Sequence, residues 1–409
     1  MKSKEALAKQ CNYLFNEFLT NNKKYILVND YSGHEFPLDC SSELSQSYKV
    51  IHCYASFFQT PQPHFKYYQK ENLSIIPIRI NKKFNKYNFF TRLNREKLYG
   101  EKVISIIKKN KPELVFCSNT PLIPLIKILK FCKKENIKTI FWMQDIYSLA
   151  IKKILNSFFA GLGTIISLYF LFLEKNCERI ADKIIIISNN FKNFINKANY
   201  YKVVMVENWA TNYLAKKNVT NNFKNKFNPK GLFCLIYSGT IGLKHNPEIF
   251  FKIAERFPNI KIIISSEGKF AQYIKDRALQ KYPNLKVINW LSSKDYYSFL
   301  SMADALLLIL NDDASEFSVP SKIYSYLLSK KKIIALINKK NLAAKKVIQF
   351  NAGLVCNSSN TKNIFLNIEN IIFLKKNKLI KNLHSKNTYI SNRNESISKI
   401  KQLVFSTLQ

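Results

Sequence analysis

The sequence lacks the features that mark most nucleic-acid-binding and metal-binding proteins. Its formal charge of +37 comes almost entirely from lysine, which is spread along the chain without an arginine-rich cluster. There is no helix-turn-helix or zinc-finger spacing, so specific recognition of nucleic acid is not expected. The eight cysteines and five histidines form no Cys-x-x-Cys pair or other ligand spacing, which argues against a zinc site and a disulfide framework. An anionic membrane surface is the better partner for the positive charge.

The N-terminus has no long apolar run and no small-residue cleavage site, so we expect no secretory signal peptide. Together with the scattered cysteines, this favours a reducing cytoplasm as the compartment. Residues 1–22 have apolar side chains at helical spacing and predict an amphipathic helix. Such a helix could lie on a membrane, although packing against the protein is the commoner outcome.

What the sequence does contain is a regular alternation of apolar, strand-like runs with helical patterns. This alternation predicts doubly wound α/β sheets, and the length allows two or three domains. The Asn- and Lys-rich segment 212–230 is the predicted linker between one α/β domain at 23–211 and another at 231–380. Residues 381–409 are predicted to form a C-terminal helix, with a return to the N-terminal domain as one alternative. Polar loops follow the predicted strands, so we expect them to converge on one cleft.

Residues 154–173 carry no charge and are about as long as the roughly 20 residues that span a bilayer. Gly161, Gly163 and several polar residues interrupt this run, and lysines precede it. Spanning would also place the two halves of the α/β architecture on opposite sides of the membrane. We therefore favour a buried or interfacial helical hairpin over a membrane span.

The segment 312–326 is the clearest candidate for a ligand site. It lies between a strand-like run and a helical pattern, so backbone N–H groups and the helix dipole would favour a phosphate there. Ser318 and Ser321 supply hydroxyl groups, Pro320 favours the first helical turn, and Lys322 adds a positive charge. An ordinary capped helix explains the same residues about equally well.

Three further positions follow predicted strands. Lys244 lies in the glycine-flanked segment GTIGLK, and Gly268 would allow a backbone to approach a ligand closely. Lys244 and Lys322, with a set of amide donors, would hold a diphosphate without a metal ion. Asp145 follows the strand-like TIFWM, where catalytic side chains of open α/β sheets gather. Helix capping is a slightly better explanation of Asp145 from the sequence alone.

The second half contains the segments YSGTIGLKHNPEIF, SSEGK, NWLSSKDYYSFLSMADALLLIL and EFSVPSKIYSYLLSKKKIIALI. Together they resemble the donor domain of GT-B glycosyltransferases of family 4. They are especially similar to enzymes of bacterial surface polysaccharides, such as O-antigen and capsule, that transfer N-acetyl-L-fucosamine. The first half agrees more weakly through FCSNTPLIP, FWMQDIYSLA, LEKNCERIADKIIIIS and VENWA. The resemblance covers about residues 24–360 and implies a GT-B fold, in which two Rossmann-like domains face a cleft.

The resemblance also implies roles for residues of the donor site. Lys244 occupies the position of the phosphate-binding lysine, and Gly239 that of the glycine at the strand end. Thr240 replaces the arginine that usually follows this glycine. The amides of Ser318 and Val319 would hold the β-phosphate.

The family's Glu-x7-Glu signature is only half present. Glu316 matches the first glutamate, and Tyr324 replaces the second, which binds the ribose in the family. Ser321 or Lys322 would then make the ribose contact instead. Asp145 would face the acceptor and the anomeric carbon, and the implied catalytic residues are Asp145, Lys244 and Glu316.

The N-terminal domain would supply the acceptor side, through Gly33 after the first strand and through Ser118 and Asn119 after the strand LVFC. In the implied reaction the nucleoside diphosphate leaves and the acceptor attacks from the same side, which retains the anomeric configuration. No metal and no cofactor beyond the nucleotide sugar is expected. The expected acceptor is a saccharide on a polyprenyl diphosphate at the inner face of the cytoplasmic membrane. A nucleotide-sugar 2-epimerase of the same fold, a non-catalytic nucleotide-sugar binder and a nucleic-acid-binding protein are the alternatives.

Overall fold

The chain folds into two parallel β-sheets that are flanked by helices. The structure is a computed structural model, and it describes residues 23–57, 68, 70–80, 89–156, 162–210, 222–242, 244–377 and 389–409. The predicted helix at 1–22, residues 212–221 of the predicted linker and residues 381–388 of the predicted C-terminal segment lie outside the described residues.

The first sheet has seven parallel strands in the order β3-β2-β1-β4-β5-β6-β7. Its strands are β1 (Tyr25–Asp30), β2 (Lys49–Ala55), β3 (Leu73–Ile78), β4 (Leu114–Ser118), β5 (Lys138–Met143), β6 (Lys183–Ile186) and β7 (Val203–Met205). Its helices are α1 (Glu35–Leu44), α2 (Phe89–Asn110), α3 (Leu122–Lys134), α4 (Tyr147–Asn156) and α5 (Leu162–Ile180), with 3-10 helices at Asn189–Phe194 and Lys197–Lys202. The short helix α6 (Asn222–Phe227) lies within the predicted linker.

The second sheet has six parallel strands in the order β10-β9-β8-β11-β12-β13. Its strands are β8 (Phe233–Ser238), β9 (Ile260–Ser265), β10 (Leu285–Ile288), β11 (Ala305–Ile309), β12 (Lys332–Leu336) and β13 (Gly353–Cys356). Its helices are α7 (Glu248–Arg256), α8 (Lys269–Lys281), α9 (Ser293–Ser301), α10 (Lys322–Leu328), α11 (Leu342–Gln349) and α12 (Thr361–Lys376), with a 3-10 helix at Asp312–Glu316. The last helix of the chain is α13 (Arg393–Leu408).

Both sheets have a central strand at which the winding direction reverses. Strand β1 pairs with β2 on one side and β4 on the other, and β8 pairs in the same way with β9 and β11. These central strands are apolar and buried on both faces, as parallel sheets covered by helices require. Ligands of open α/β sheets bind outside the carboxyl ends of the strands at such reversals. Each sheet therefore offers one topological switch point.

The C-terminal helix α13 packs on the N-terminal domain. The Arg393 guanidinium donates to both carboxylate oxygens of Asp39 at 2.7 Å, and Ser396 Oγ donates to the Glu207 carbonyl at 2.9 Å. The Lys346 Nζ of α11 forms an ion pair with the Glu207 carboxylate at 2.6 Å. Two helices of the second half of the chain thus contact Glu207, which lies just after the last strand of the first sheet.

The described residues of the apolar segment 154–173 lie at the end of α4 and in the first part of α5, and residues 157–161 lie outside the described residues. These two helices pack against each other as a hairpin. No described helix combines the length and the apolar character that crossing a membrane requires.

Candidate functional site

The candidate site is a cavity between the two sheets, at the carboxyl ends of their strands. Its volume is about 410 Å³, within the usual size range of ligand sites. Its walls include His34 and Asn119 beside the first switch point and Gly239, Lys244 and Ser318 beside the second. Two other cavities, of about 380 and 710 Å³, open at the amino-terminal edges of the strands, where open α/β sheets do not usually bind ligands.

Lys244 joins the two domains across this cavity. Its Nζ donates to both carboxylate oxygens of Asp145 at 2.9 Å and to Ser318 Oγ at 3.0 Å. Asp145 and Ser318 also pair through their backbones in an isolated antiparallel bridge. The Lys244 ammonium lies 5.3 Å from the centre of the Phe317 ring. Three residues that the sequence placed in three separate loops are therefore in direct contact.

Lys322 brings a second positive charge to the cavity. Its Nζ is buried and has no hydrogen-bond partner among the described residues. It lies 3.8 Å from the centre of the Tyr237 ring, and burial lowers the pKa of its ammonium to about 7. Gly239 has a φ of +130°, and a Cβ atom there would come within 2.9 Å of the Lys322 Nζ. The glycine thus makes room for a cation whose burial is unfavourable unless an anion joins it.

Residues Ser318 to Lys322 form one wall of the cavity. Ser321 is the N-cap of α10, but its side chain makes no capping bond to the described backbone. The hydroxyl of Ser318 accepts from Lys244, and its carbonyl accepts from Asn341 Nδ2 at 2.8 Å. Helix capping therefore does not account for either serine hydroxyl.

Three predicted donor-site residues lie away from the cavity wall. The Glu316 side chain is 61% exposed and pairs with the Lys153 Nζ at 3.1 Å. Tyr324 is 1% exposed and donates to the Glu207 carboxylate at 3.5 Å, behind the cavity. Gly268 precedes α8 with a φ of +99° and is not among the described residues that line the cavity.

On the acceptor side, a buried carboxylate organises the loops. The Asp30 side chain accepts from Asn119 Nδ2 at 3.0 Å and from the His34 N–H at 2.6 Å. Burial raises the pKa of Asp30 to about 7, against these hydrogen bonds. Asn119 lines the cavity with a φ of +49°, whereas Ser118 is buried at the end of β4 and Gly33 forms the turn before His34 with a φ of +66°.

The cavity also contains residues that the sequence did not single out. Gln144 and Asn208 exchange side-chain hydrogen bonds at 2.7 and 3.2 Å, and Trp209 stacks on Trp142 with ring centres 5.8 Å apart. The indole N–H of Trp290 is buried and has no partner among the described residues. The sequence contained one signal for Gln144, which is its position directly after the last residue of β5.

The site has an uneven charge distribution. Its two ammonium groups, Lys322 and Lys244, come from the second domain, while Glu35, His34 and Asp145 come from the first. Burial lowers the pKa of His34 to about 4, so its imidazole is neutral at neutral pH. Among the described residues, no cluster of three or more His, Cys, Asp or Glu side chains could hold a metal ion. One side of the cavity therefore suits an anion, and the other suits hydrogen bonds to a polar neutral group.

Solved structures share this two-domain architecture. Sucrose-phosphate synthase from Thermosynechococcus elongatus superposes with a TM-score of 0.67 at 11% identity, over 94% of this chain and 99% of that one. Anabaena HepE in complex with UDP gives a TM-score of 0.60 at 11% identity, over 94% and 100% of the two chains. The UDP-GlcNAc 2-epimerase of Neisseria meningitidis, bound to UDP-GlcNAc, gives 0.54 at 11% identity, over 93% and 100%.

The fold is GT-B. This confirms the predicted fold class of two Rossmann-like domains that face a cleft. The sequence matches no family model and no curated protein sequence. The finer resemblance to family 4 and to N-acetyl-L-fucosamine transferases therefore stays a prediction.

Proposed function

We propose that this protein is a glycosyltransferase that moves a sugar from a nucleoside-diphosphate sugar to a saccharide acceptor. The observation that carries the proposal is the buried Lys322 ammonium, which has no hydrogen-bond partner among the described residues and lies beside Lys244 in the cleft cavity. Two lysines at a GT-B switch point suit the two phosphates of such a donor. Proteins of the same fold bound to UDP or UDP-GlcNAc support the choice of a nucleotide sugar.

In this proposal Lys322 supplies the charge that Thr240 cannot. The arginine that the family resemblance leads one to expect is absent at position 240, and the Lys322 Nζ reaches the space beside Gly239 instead. Lys244 exchanges Asp145 and Ser318 for the donor phosphate, and this exchange frees the Asp145 carboxylate to face the anomeric carbon. Both ammonium groups then stabilise the negative charge that grows on the leaving diphosphate.

The finer parts of the proposal are a retaining reaction, no requirement for a metal ion, and a role in cell-surface polysaccharide synthesis. The acceptor would be a saccharide on a polyprenyl diphosphate, and the protein would work on the inner face of the cytoplasmic membrane. Activity measured in the presence of EDTA tests whether the reaction needs a metal ion. The anomeric configuration of an isolated product, determined by NMR, tests whether the reaction is retaining.

A thermal-shift screen against nucleotide sugars tests the proposal as a whole. A ligand at about 100 times its Kd should stabilise the folded state by about 2.7 kcal/mol. UDP-sugars should raise the melting temperature, and UDP should do so as well, while the Lys322→Met variant should respond far less at the same ligand concentration. A chain that responds to no nucleoside diphosphate or nucleotide sugar contradicts the proposal.

The second candidate is a nucleotide-sugar 2-epimerase, because solved epimerases share the fold. Product analysis without an acceptor separates the two functions. An epimerase releases UDP or an epimeric sugar in the absence of acceptor, whereas the proposed transferase leaves the donor largely intact until a saccharide acceptor is added.

A further inference from the structure

Helix α5 exposes an apolar face on the surface of the N-terminal domain. This α5 face consists of Ile165, Ile166, Leu168, Tyr169, Leu171 and Phe172. The exposed fraction of these residues ranges from 36% to 66%. A helix on the surface of a soluble domain normally directs its polar side chains outward, so this face is unusual.

The opposite side of α5 is buried, and it carries three polar side chains beside the core residues Phe170, Leu173 and Cys177. Glu174 and Glu178 are at most 1% exposed, and Ser167 is 4% exposed. Glu174 accepts hydrogen bonds from the Tyr147 N–H at 2.8 Å and from the Ser148 hydroxyl, and both donors lie in the first turn of α4. Glu178 accepts from the Asn196 N–H at 3.1 Å and from Lys175 Nζ. These bonds fix the rotation of α5, so its apolar side is held toward the solvent.

The exposed charged side chains of α3, α4 and α5 themselves are all basic. Glu174 and Glu178 are the only carboxylates in the sequences of α3, α4 and α5, and both are buried. Exposed cations remain on all three helices, at Lys130, Lys152 and Arg179. An apolar centre with a positively charged rim complements the surface of an anionic bilayer, where side chains enter the headgroup region and cations meet lipid phosphates.

We propose that the α5 face is the surface by which this protein docks on an anionic phospholipid bilayer. A second copy of the chain is a poorer occupant, because a two-fold contact through this face would bring two equal sets of these cations together. A bilayer supplies both the apolar interior and the negative charge. Docking of this kind places α5 in the plane of the headgroups without crossing the membrane.

This surface is joined directly to the cleft. Helix α4, which pairs with α5, begins two residues after Asp145, and its Lys153 forms an ion pair with Glu316 of the second domain. A lipid surface at the hairpin would therefore lie beside the side of the cavity that we assign to the acceptor. The inference rests on the proposed function in this one respect, that the acceptor is carried on a lipid.

The test is sedimentation of the full chain with vesicles of phosphatidylglycerol and phosphatidylcholine. The wild-type protein should bind these vesicles, and binding should be weaker to pure phosphatidylcholine. The Leu168→Gln/Phe172→Gln variant should lose at least about tenfold in vesicle binding. The matched control is Leu279→Gln/Phe373→Gln, which changes residues 79% and 61% exposed on the second domain and should bind as wild type does.

Charge variants give a second measurement. Lys152→Gln/Arg179→Gln should weaken binding to anionic vesicles severalfold and leave binding to pure phosphatidylcholine unchanged. The control pair Lys252→Gln/Lys339→Gln removes two exposed lysines from the second domain and should have little effect. A Phe172→Trp variant should show a blue-shifted emission with anionic vesicles, and a Leu279→Trp variant should not.

Several results would overturn the proposal. These are a wild-type protein that does not sediment with anionic vesicles, an α5 variant that binds as wild type does, and an α5 variant that turns a dimer into a monomer in light scattering. UDP binding by the same variants keeps the two proposals separate. Vesicle binding without UDP binding removes the proposed function only, and UDP binding without vesicle binding removes the docking surface only.

Discussion

The two switch points of this molecule have the same backbone topology and opposite side-chain chemistry. In both sheets the central strand reverses the winding, and the following loops reach the same cavity. Beside β1 and β4 those loops carry the neutral His34 and Asn119, arranged by the buried Asp30. Beside β8 and β11 they carry Lys244 and Lys322.

This difference shows where specificity lies in a duplicated architecture. The strands are alike because both sheets must bury apolar residues on two faces. The loops are free to differ because their side chains meet a ligand instead of a core. One half of the cavity carries two ammonium groups, and the other carries neutral side chains with the carboxylates Glu35 and Asp145. These halves suit a ligand that has an anionic end and a polar, uncharged end.

The largest expected effect comes from removing the charge of the second half. Lys322→Met should raise the Kd for UDP about 100-fold, which corresponds to about 2.7 kcal/mol. The same change should stabilise the free protein by on the order of 1–3 kcal/mol, because it removes a buried ammonium that has no hydrogen-bond partner among the described residues. Calorimetric titration and denaturant unfolding measure the two quantities. A variant that loses stability and keeps its UDP affinity would show that Lys322 is structural.

Lys244→Ala should weaken donor binding about 30-fold and reduce turnover, while the fold stays intact. The effect is smaller than at Lys322 because Lys244 must first give up its bonds to Asp145 and Ser318. Lys339→Ala, which removes an exposed lysine of the same domain, is the matched control for charge. Steady-state kinetics with a UDP-sugar measure both parameters, and unchanged kinetics would remove Lys244 from the diphosphate site.

The pH dependence of donor binding should follow Lys322. The pKa of its ammonium is lowered from 10.5 to about 7 in the free protein, and a bound diphosphate should raise it again. Affinity for a UDP-sugar should therefore fall about tenfold between about pH 6 and about pH 8, as free Lys322 loses its proton.

The same shift affects stability with the opposite sign. The unfolded lysine keeps its proton up to about pH 10.5, whereas the folded one loses it at about pH 7. The destabilising contribution of Lys322 is therefore fully present below about pH 7 and disappears as the pH rises toward 10.5. The difference in unfolding free energy between wild type and Lys322→Met isolates this contribution. A difference that does not change with pH would contradict the assignment.

The smallest effects are expected at the two positions of the half-present signature. Tyr324→Phe and Glu316→Gln should each change the Kd for UDP by less than about threefold, because neither side chain lines the cavity in the described structure. Calorimetric titration with UDP measures the Kd of each variant, and Lys153→Gln, which removes the ion-pair partner of Glu316, is measured beside Glu316→Gln. A large loss with Glu316→Gln alone would mean that the donor-bound protein brings this carboxylate into the site.

The sequence predicted the fold more completely than the site. Apolar runs such as Ala305–Ile309 specify strands buried on both faces, and polar residues after them mark the carboxyl ends. It also identified Asp145, Lys244 and Ser318 as candidates, each in a separate loop. Their meeting at 2.9–3.0 Å could not be read from spacing, because the three residues are 99 and 74 positions apart along the chain.

Helix periodicity explains why the side chains of Lys322 and Tyr324 point to opposite sides of α10. Helix α10 begins at Lys322, and two residues along a helix correspond to a rotation of about 200°. A lysine that faces the cavity therefore turns the tyrosine toward Glu207 on the far side. His34 was missed for another reason, since a single histidine in a loop has no spacing that marks it.

The sequence by itself determined two doubly wound α/β domains and identified Lys244 and Lys322 after two strands of the second domain. The tertiary structure decided which lysine is buried without a described partner, which is engaged by Asp145, and which face of α5 is turned outward. The physical reason is that the periodic pattern of buried residues lies within short stretches of the sequence, whereas the environment of a charge depends on groups brought together from distant positions.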